Sequence, residues 1–119
     1  MGNKIKKDTV FIEAVALTNS SAFNAGECVG HYLSDGKWIT KDSTGKKWQS
    51  LVGNLRNENY YRFINQYSME DIVQYLLDKV ENYCTVAYGF LVEAVETAMK
   101  ETKVCCIDDI CKYVTEKLI

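Results

Sequence analysis

The sequence lacks proline, has a single histidine and contains no long apolar run. Without proline or any Gly/Ser-rich or low-complexity segment, no evident linker divides the chain, so we expect one domain over residues 1–119. No run approaches the roughly 18 consecutive apolar residues that a membrane-spanning helix needs. We therefore expect no membrane partner.

A basic start, MGNKIKK, precedes the apolar run TVFIEAVAL, but Glu13 interrupts that run and argues against a secretory signal. The five cysteines form an odd set in a chain of 119 residues, which is long enough to build a core without cross-links. Reduced, mostly buried thiols are the expectation for such a chain. These features predict a soluble, cytoplasmic (intracellular) protein.

The charges are unevenly distributed along the chain. Residues 1–66 contain nine Lys and Arg against six Asp and Glu, whereas residues 67–119 contain five against ten. The predicted single domain therefore has a mixed, basic half over 1–66 and an acidic, helical half over 67–119. A polyanion would meet the basic half, where residues 37–62 carry a local charge of +4.

Signatures of common enzyme classes are missing from the sequence. None of GxGxxG, GxSxG or HExxH occurs, and TGKK lacks both the glycine spacing and the Ser or Thr of a phosphate-binding loop. The adjacent acids at 70–71 and 108–109 are explained by stabilisation at helix starts rather than by a shared catalytic cleft. We predict no catalytic residue and no cofactor.

A metal or catalytic site based on histidine must use His31. Cys28 lies three residues earlier, a spacing that would put both side chains on one face of a helix, so this pair is the candidate for a Cys/His site. Cys105, Cys106 and Cys111 lack the spacing of a zinc knuckle. A packed thiol and a half-buried imidazole are the simpler interpretation, and no metal is predicted.

The secondary structure of the first third of the chain is ambiguous. Residues 9–17 fit a helix nearly as well as a strand, and residues 22–33 fit either a helix weakened by two glycines or a strand over 28–33. In the second case Asp35-Gly36, a favoured two-residue turn, predicts a β-hairpin with KWIT at 37–40.

An amphipathic helix is predicted over 46–57, because apolar residues recur there at helical spacing, and a second helical stripe follows at positions 60, 63, 64 and 67. The hairpin and the polar side of this helix carry residue types that contact phosphates or base edges: Lys37, Lys41, Lys46, Lys47, Gln49, Asn54 and Arg56. This arrangement is loosely similar to a helix-turn-helix or winged-helix module. DNA or RNA binding is therefore the alternative function.

Three helices are predicted after residue 67. Ser68 and Asp71 form a capping-box-like start to the first, the second covers about 85–100 and buries Phe90 in its apolar stripe, and the third begins near Ile107. SMEDIVQYLLDKV at 68–80 and CIDDICKYVTEKL at 106–118 align without gaps, which we interpret as two helices obeying one capping and packing rule. The predicted fold is α+β and helix-dominated, with a mixed N-terminal half containing a small β-hairpin packed on a C-terminal three-helix unit.

The acidic half suggests contact with another protein. Glu93, Glu96 and Glu101 give its second helix an acidic surface suited to a basic partner. In the absence of a catalytic motif, the leading hypothesis is a small non-enzymatic regulator or adaptor that acts by protein–protein contact. Nucleic-acid binding and a Cys/His site are the second and third hypotheses.

Overall fold

The computed structural model describes residues 3–19, 24–42, 44–79, 88–101 and 105–118. Within these ranges the strands are β1 (Thr9–Ala16), β2 (Cys28–Ser34), β3 (Lys37–Lys41), β4 (Lys47–Ser50) and β5 (Tyr61–Ser68). The helices are α1 (Val52–Leu55), α2 (Met69–Lys79), α3 (Tyr88–Glu101) and α4 (Ile107–Leu118). None of these described helices is long and apolar enough to cross a membrane.

The strands form an antiparallel sheet in the order β4-β3-β2-β1-β5. Asp35 and Gly36, with φ values of 51° and 77°, form the turn of the predicted β2–β3 hairpin, since tight hairpin turns need positive φ. In the next turn, Asp42 Oδ1 accepts hydrogen bonds from the backbone N–H groups of Thr44 and Lys46, at 2.9 and 3.0 Å. The predicted hairpin is thus confirmed, and the chain continues into β4.

The prediction of a helix-dominated fold is wrong, because the described part of the first 68 residues is built mainly from a five-stranded sheet. The predicted helix over 46–57 is instead β4 followed by the single turn α1. Trp48 pairs with Thr40, and Ser50 pairs with Trp38, both in β3. Pairing with a neighbouring strand outweighs the helical spacing of the apolar residues, which is a local preference only.

The helical stripe predicted at 60–67 is also wrong, since these residues form most of β5. Ala14 of β1 pairs with Phe63 and Glu13 pairs with Asn65, so Ile64 is an extra residue in a β-bulge. The bulge changes the phase of the alternation along the strand. Apolar side chains therefore recur at a spacing that imitates a helix.

Alternation along β1, which lies between β2 and β5, gives the sheet two buried faces. On one, which we call the helix face, Phe11 and Tyr32 pack against buried side chains of α2, α3 and α4. On the other, which we call the opposite face, Ile12 and neighbouring strand residues pack with Leu55 of α1. Ile5, from the segment before β1, also packs against this second cluster.

The segment before β1 is held across the opposite face by hydrogen bonds at both of its ends. The Asn3 N–H donates to the carbonyl of Arg56 at 2.7 Å, and Gln66 Nε2 donates to the carbonyl of Lys4 at 2.7 Å. The Lys6 N–H donates to Gln66 Oε1 at 2.9 Å. These bonds span from α1 to β5, so the second cluster is covered without a long helix.

The helices predicted after residue 67 are confirmed as α2, α3 and α4, although residues 80 and 85–87 of the predictions lie outside the described part of the chain. α2 begins with a reciprocal capping box, in which the Asp71 N–H donates to Ser68 Oγ at 3.1 Å and the Ser68 N–H donates to Asp71 Oδ2 at 3.0 Å. At the start of α4 the Cys105 N–H donates to Asp109 Oδ2 at 3.0 Å. An acidic first turn therefore begins both of the similar helices.

Candidate functional site

A groove lies at the surface between α3 and α4. Helical spacing puts Phe90, Ala94 and Thr97 in one row along α3. This row, together with Tyr113 and Lys117 of α4, lines a groove of about 560 Å³. The other sides of both helices are buried in the core against the helix face of the sheet, so the core fixes how the two walls of the groove are spaced.

Two aromatic side chains at the start of α3 are left open to solvent. Phe90 is 52% exposed and Tyr88 is 55% exposed. Single exposed apolar residues are ordinary, but an exposed aromatic side chain that lines a groove, as Phe90 does, is typical of surfaces that bind other proteins. The expectation that Phe90 is buried is wrong, because about half of this side chain is open to solvent.

Two of the three predicted protein-contact residues lie at this groove. Glu93 and Glu96 are exposed on α3 and line it together with Phe90. Glu101 ends α3, and its side chain lies outside the described part of the chain. On the α4 side, Lys117 Nζ lies 5.6 Å from the centre of the Tyr113 ring, a cation–π distance.

The residues predicted to bind nucleic acid do not share one helix. Lys41 is buried at the end of β3, where its Nζ donates a hydrogen bond to the carbonyl of Met99 at 2.6 Å and lies 5.1 Å from the centre of the Tyr32 ring. Burial, followed by the neighbouring charge of Lys47, lowers the pKa of Lys41 to about 8. Lys41 therefore serves the contact between the sheet and α3.

The other predicted nucleic-acid residues are exposed and spread over several elements. Lys37 lies on β3, Lys46 in the turn after it, Lys47 and Gln49 on β4, Asn54 on α1, and Arg56 just after α1. Lys47 Nζ donates to the carbonyl of Lys100 at 3.1 Å, and Arg56 Nε donates to the carbonyl of Asn3 at 3.0 Å. The helix predicted over 46–57, which was expected to contact phosphates and base edges, is replaced in this described region by β4 and α1. Nucleic-acid binding stays a prediction.

Cys28 and His31 do not converge. They are three residues apart in strand β2, so alternation directs their side chains to opposite faces of the sheet. Cys28 Sγ donates to the carbonyl of Cys105 beside the start of α4, whereas the His31 ring packs on Tyr61 on the opposite face. Within the described residues no three His, Cys, Asp or Glu side chains form a group that could hold a metal ion.

His31 is the centre of a buried polar cluster on the opposite face. Its Nδ1 lies 2.8 Å from Thr40 Oγ1, which lies 2.5 Å from Ser50 Oγ. The ring meets that of Tyr61 edge-on at a centroid distance of 4.6 Å, and Nε2 has no hydrogen-bond partner among the described residues. Burial lowers the pKa of His31 to about 3, so the imidazole is neutral at physiological pH.

Glu13 is a structural carboxylate that the sequence pattern did not assign. Its Oε1 accepts hydrogen bonds from Asn65 Nδ2 at 2.8 Å and from the Tyr67 hydroxyl at 2.9 Å, and its Oε2 accepts one from the Ile107 N–H at 2.7 Å. Burial and this bond to Glu13 raise the pKa of the Tyr67 hydroxyl. The signal in the sequence is an acid inside an apolar strand. Three donors occupy the carboxylate, so it anchors the N-terminus of α4 rather than serving as a free base.

No protein-family model, curated protein or solved structure matches this chain.

Proposed function

We propose that this chain is a non-enzymatic regulator or adaptor that binds another protein through the groove between α3 and α4. The observation that carries the proposal is the 52% exposure of Phe90 at the same groove as the predicted acids Glu93 and Glu96. An exposed aromatic anchor supplies binding energy, and adjacent charges select the partner.

The occupant that fits this groove best is a short amphipathic helix with basic residues on one side. Six residues of α3 and two of α4 line the groove, and a groove between two helices suits helix-in-groove recognition. Its acids are Glu93 and Glu96, whereas Lys100 and Lys117 are the basic residues of the lining. α3 has 14 residues, so a partner helix of about four turns, roughly 21 Å long, would match its length. Its apolar side would pack on Phe90 and Tyr113, and its Lys or Arg side chains would meet Glu93 and Glu96.

The contribution of Phe90 follows from its exposed area. A phenylalanine side chain buries about 150–250 Å², so covering half of it removes roughly 100 Å² from water. At about 25 cal/mol per Å² this gives roughly 2.5 kcal/mol. Replacing Phe90 with alanine is therefore expected to weaken binding about seventyfold.

A displayed library of random 16-residue peptides, selected on the full wild-type chain alone, tests the proposal. The selected peptides are expected to have apolar residues at helical spacing and Lys or Arg on one side. Their affinities for wild type and variants are then measured by fluorescence anisotropy. Selected peptides that bind wild type and Phe90→Ala equally well, or that are acidic, would refute the proposal.

Matched variants separate the groove from the rest of the surface. Tyr88→Ala removes a similarly exposed aromatic side chain that does not line the groove, and it is expected to change affinity less than threefold. Glu93→Lys with Glu96→Lys is expected to weaken binding of a basic peptide at low salt, whereas Glu70→Lys, an exposed charge reversal on α2, is not. Circular dichroism confirms that each variant is folded.

A further inference from the structure

Two cysteines distant in sequence meet where β2 begins and α4 begins. Cys28 and Cys105 are separated by 77 positions, and Cys28 Sγ donates a hydrogen bond to the carbonyl oxygen of Cys105 at 3.4 Å. The two thiols are close enough for each to affect the pKa of the other, and Cys105 Sγ lies 3.7 Å from Asp109 Oδ2. Cys28, the first residue of β2, is exposed to solvent, although its thiol is partly covered by neighbouring groups.

The local structure holds Cys105 in place and directs the adjacent cysteine elsewhere. The Cys105 N–H donates to Asp109 Oδ2 at 3.0 Å, which fixes the backbone just before α4. The carbonyl of Cys106 accepts a hydrogen bond from the Asp109 N–H at 3.2 Å. Burial raises the pKa of the Cys106 thiol, and its charged neighbour is Asp109 rather than Cys28. Of these neighbouring cysteines, Cys105 is therefore the one placed to react with Cys28.

We propose that Cys28 and Cys105 form a disulfide by exchange with a low-molecular-weight disulfide such as oxidised glutathione. The Cys28 thiolate attacks one sulfur of glutathione disulfide, which forms a mixed disulfide and releases one glutathione thiolate. The Cys105 thiolate then attacks the Cys28 sulfur and releases the second glutathione thiolate. The two protons lost by the protein thiols go to the two released glutathiones, so two protein thiols are oxidised and one disulfide is reduced.

The surroundings of the two thiols set the pH dependence of this exchange. Burial raises the pKa of Cys28, as do the nearby carboxylates of Glu13 and Asp109. Burial also raises the pKa of Cys105, together with the neighbouring Cys28 and Asp109. Because the thiolate is the attacking species, the exchange is slow at neutral pH. Its rate is expected to rise about tenfold between pH 7 and pH 8 and again toward pH 9.

The bond would join two distant parts of the chain. A disulfide between residues 77 positions apart restricts the unfolded chain strongly, and it is expected to raise the melting temperature by roughly 10 °C. It would also fix the start of α4 to the sheet, where Glu13 already holds the Ile107 N–H.

The test uses the full chain, reduced and then incubated with oxidised glutathione at pH 8.5. Remaining thiols are alkylated and the protein is digested with trypsin without reduction for mass spectrometry. Cys105, Cys106 and Cys111 share one tryptic peptide, so serine variants are needed to identify the partner of Cys28. The expected product joins the Cys28 peptide to this peptide, with the rise in melting temperature.

Single substitutions decide which sulfur is used. Cys28→Ser and Cys105→Ser are expected to abolish the cross-linked peptide, whereas Cys106→Ser and Cys111→Ser leave it intact. The proposal is overturned by a glutathione adduct on Cys28 that persists in the wild type. It is equally overturned by a cross-link that survives in Cys105→Ser or is lost in Cys106→Ser, or by one that forms only in denaturant.

Discussion

Acidification is expected to destabilise this protein through His31. The ring is fully buried on the opposite face, beside Thr40, Ser50 and Tyr61, and no carboxylate among the described residues hydrogen-bonds to it. Burial lowers its pKa to about 3 in the folded protein, compared with 6.5 for an exposed histidine. The unfolded chain therefore takes up a proton at a pH where the folded chain does not.

The sign and size of the effect follow from this difference in pKa. The depressed pKa means that the contribution of His31 to stability is complete above pH 6.5 and is lost progressively as the pH falls toward 3. Within this range, each pH unit changes the free energy of unfolding by about 1.4 kcal/mol. Lowering the pH from 7.5 to 5 is thus expected to reduce the free energy of unfolding by about 2 kcal/mol through this residue alone.

Urea unfolding at several pH values, followed by circular dichroism, measures the effect in wild type and in His31→Gln. Glutamine keeps a neutral polar group near Thr40 and does not titrate, so the variant lacks this part of the pH dependence even if its stability is lower overall. The difference in free energy of unfolding between wild type and His31→Gln should change by about 2 kcal/mol from pH 7.5 to 5. If the free energies of unfolding of the two proteins change equally with pH, or if NMR shows that His31 titrates near pH 6.5, the prediction is wrong.

Two further predictions concern the framework. Glu13→Gln places an amide N–H₂ among three hydrogen-bond donors, so it is expected to lower the free energy of unfolding by about 2 kcal/mol and to speed amide exchange in the first turn of α4. Urea unfolding of Glu13→Gln is compared with that of Glu70→Gln, a control that changes an exposed acid on α2. Equal stability of the two variants would contradict the prediction. Gly36→Ala is expected to destabilise the protein by about 1 kcal/mol, because φ is +77° in the hairpin turn, whereas Gly89→Ala in α3 meets open space and is expected to be neutral or stabilising. Thermal melts compare the two, and a stabilising Gly36→Ala would argue against the turn.

Features set by neighbouring residues could be predicted from the sequence, whereas features set by distant contacts could not. The Asp35-Gly36 turn and the Ser68–Asp71 capping box depend on a few adjacent residues, and both are present as predicted. β4 and β5 depend on pairing with strands elsewhere in the chain. In β5 the extra residue Ile64 changes the alternation, so the apolar spacing there imitates a helix.

The same limit applies to the candidate site. Periodicity identified α3 and its acids Glu93 and Glu96, but α3 has apolar side chains on more than one side. Leu91 and Val95 face the core, whereas Phe90 lies at the groove. Which apolar side is covered depends on where the sheet and α4 lie, and the helix sequence alone does not contain that information. Glu13 was missed for a similar reason, since its partners come from β5 and α4.

Hydrogen–deuterium exchange of the full chain, with and without a saturating selected peptide, tests the proposed protein-binding groove most directly. We expect new protection in α3 and α4, loss of this protection in Phe90→Ala, and unchanged exchange in β4 and α1. Protection confined to β4 and α1, or protection of α3 and α4 that persists in Phe90→Ala, would contradict the proposed function.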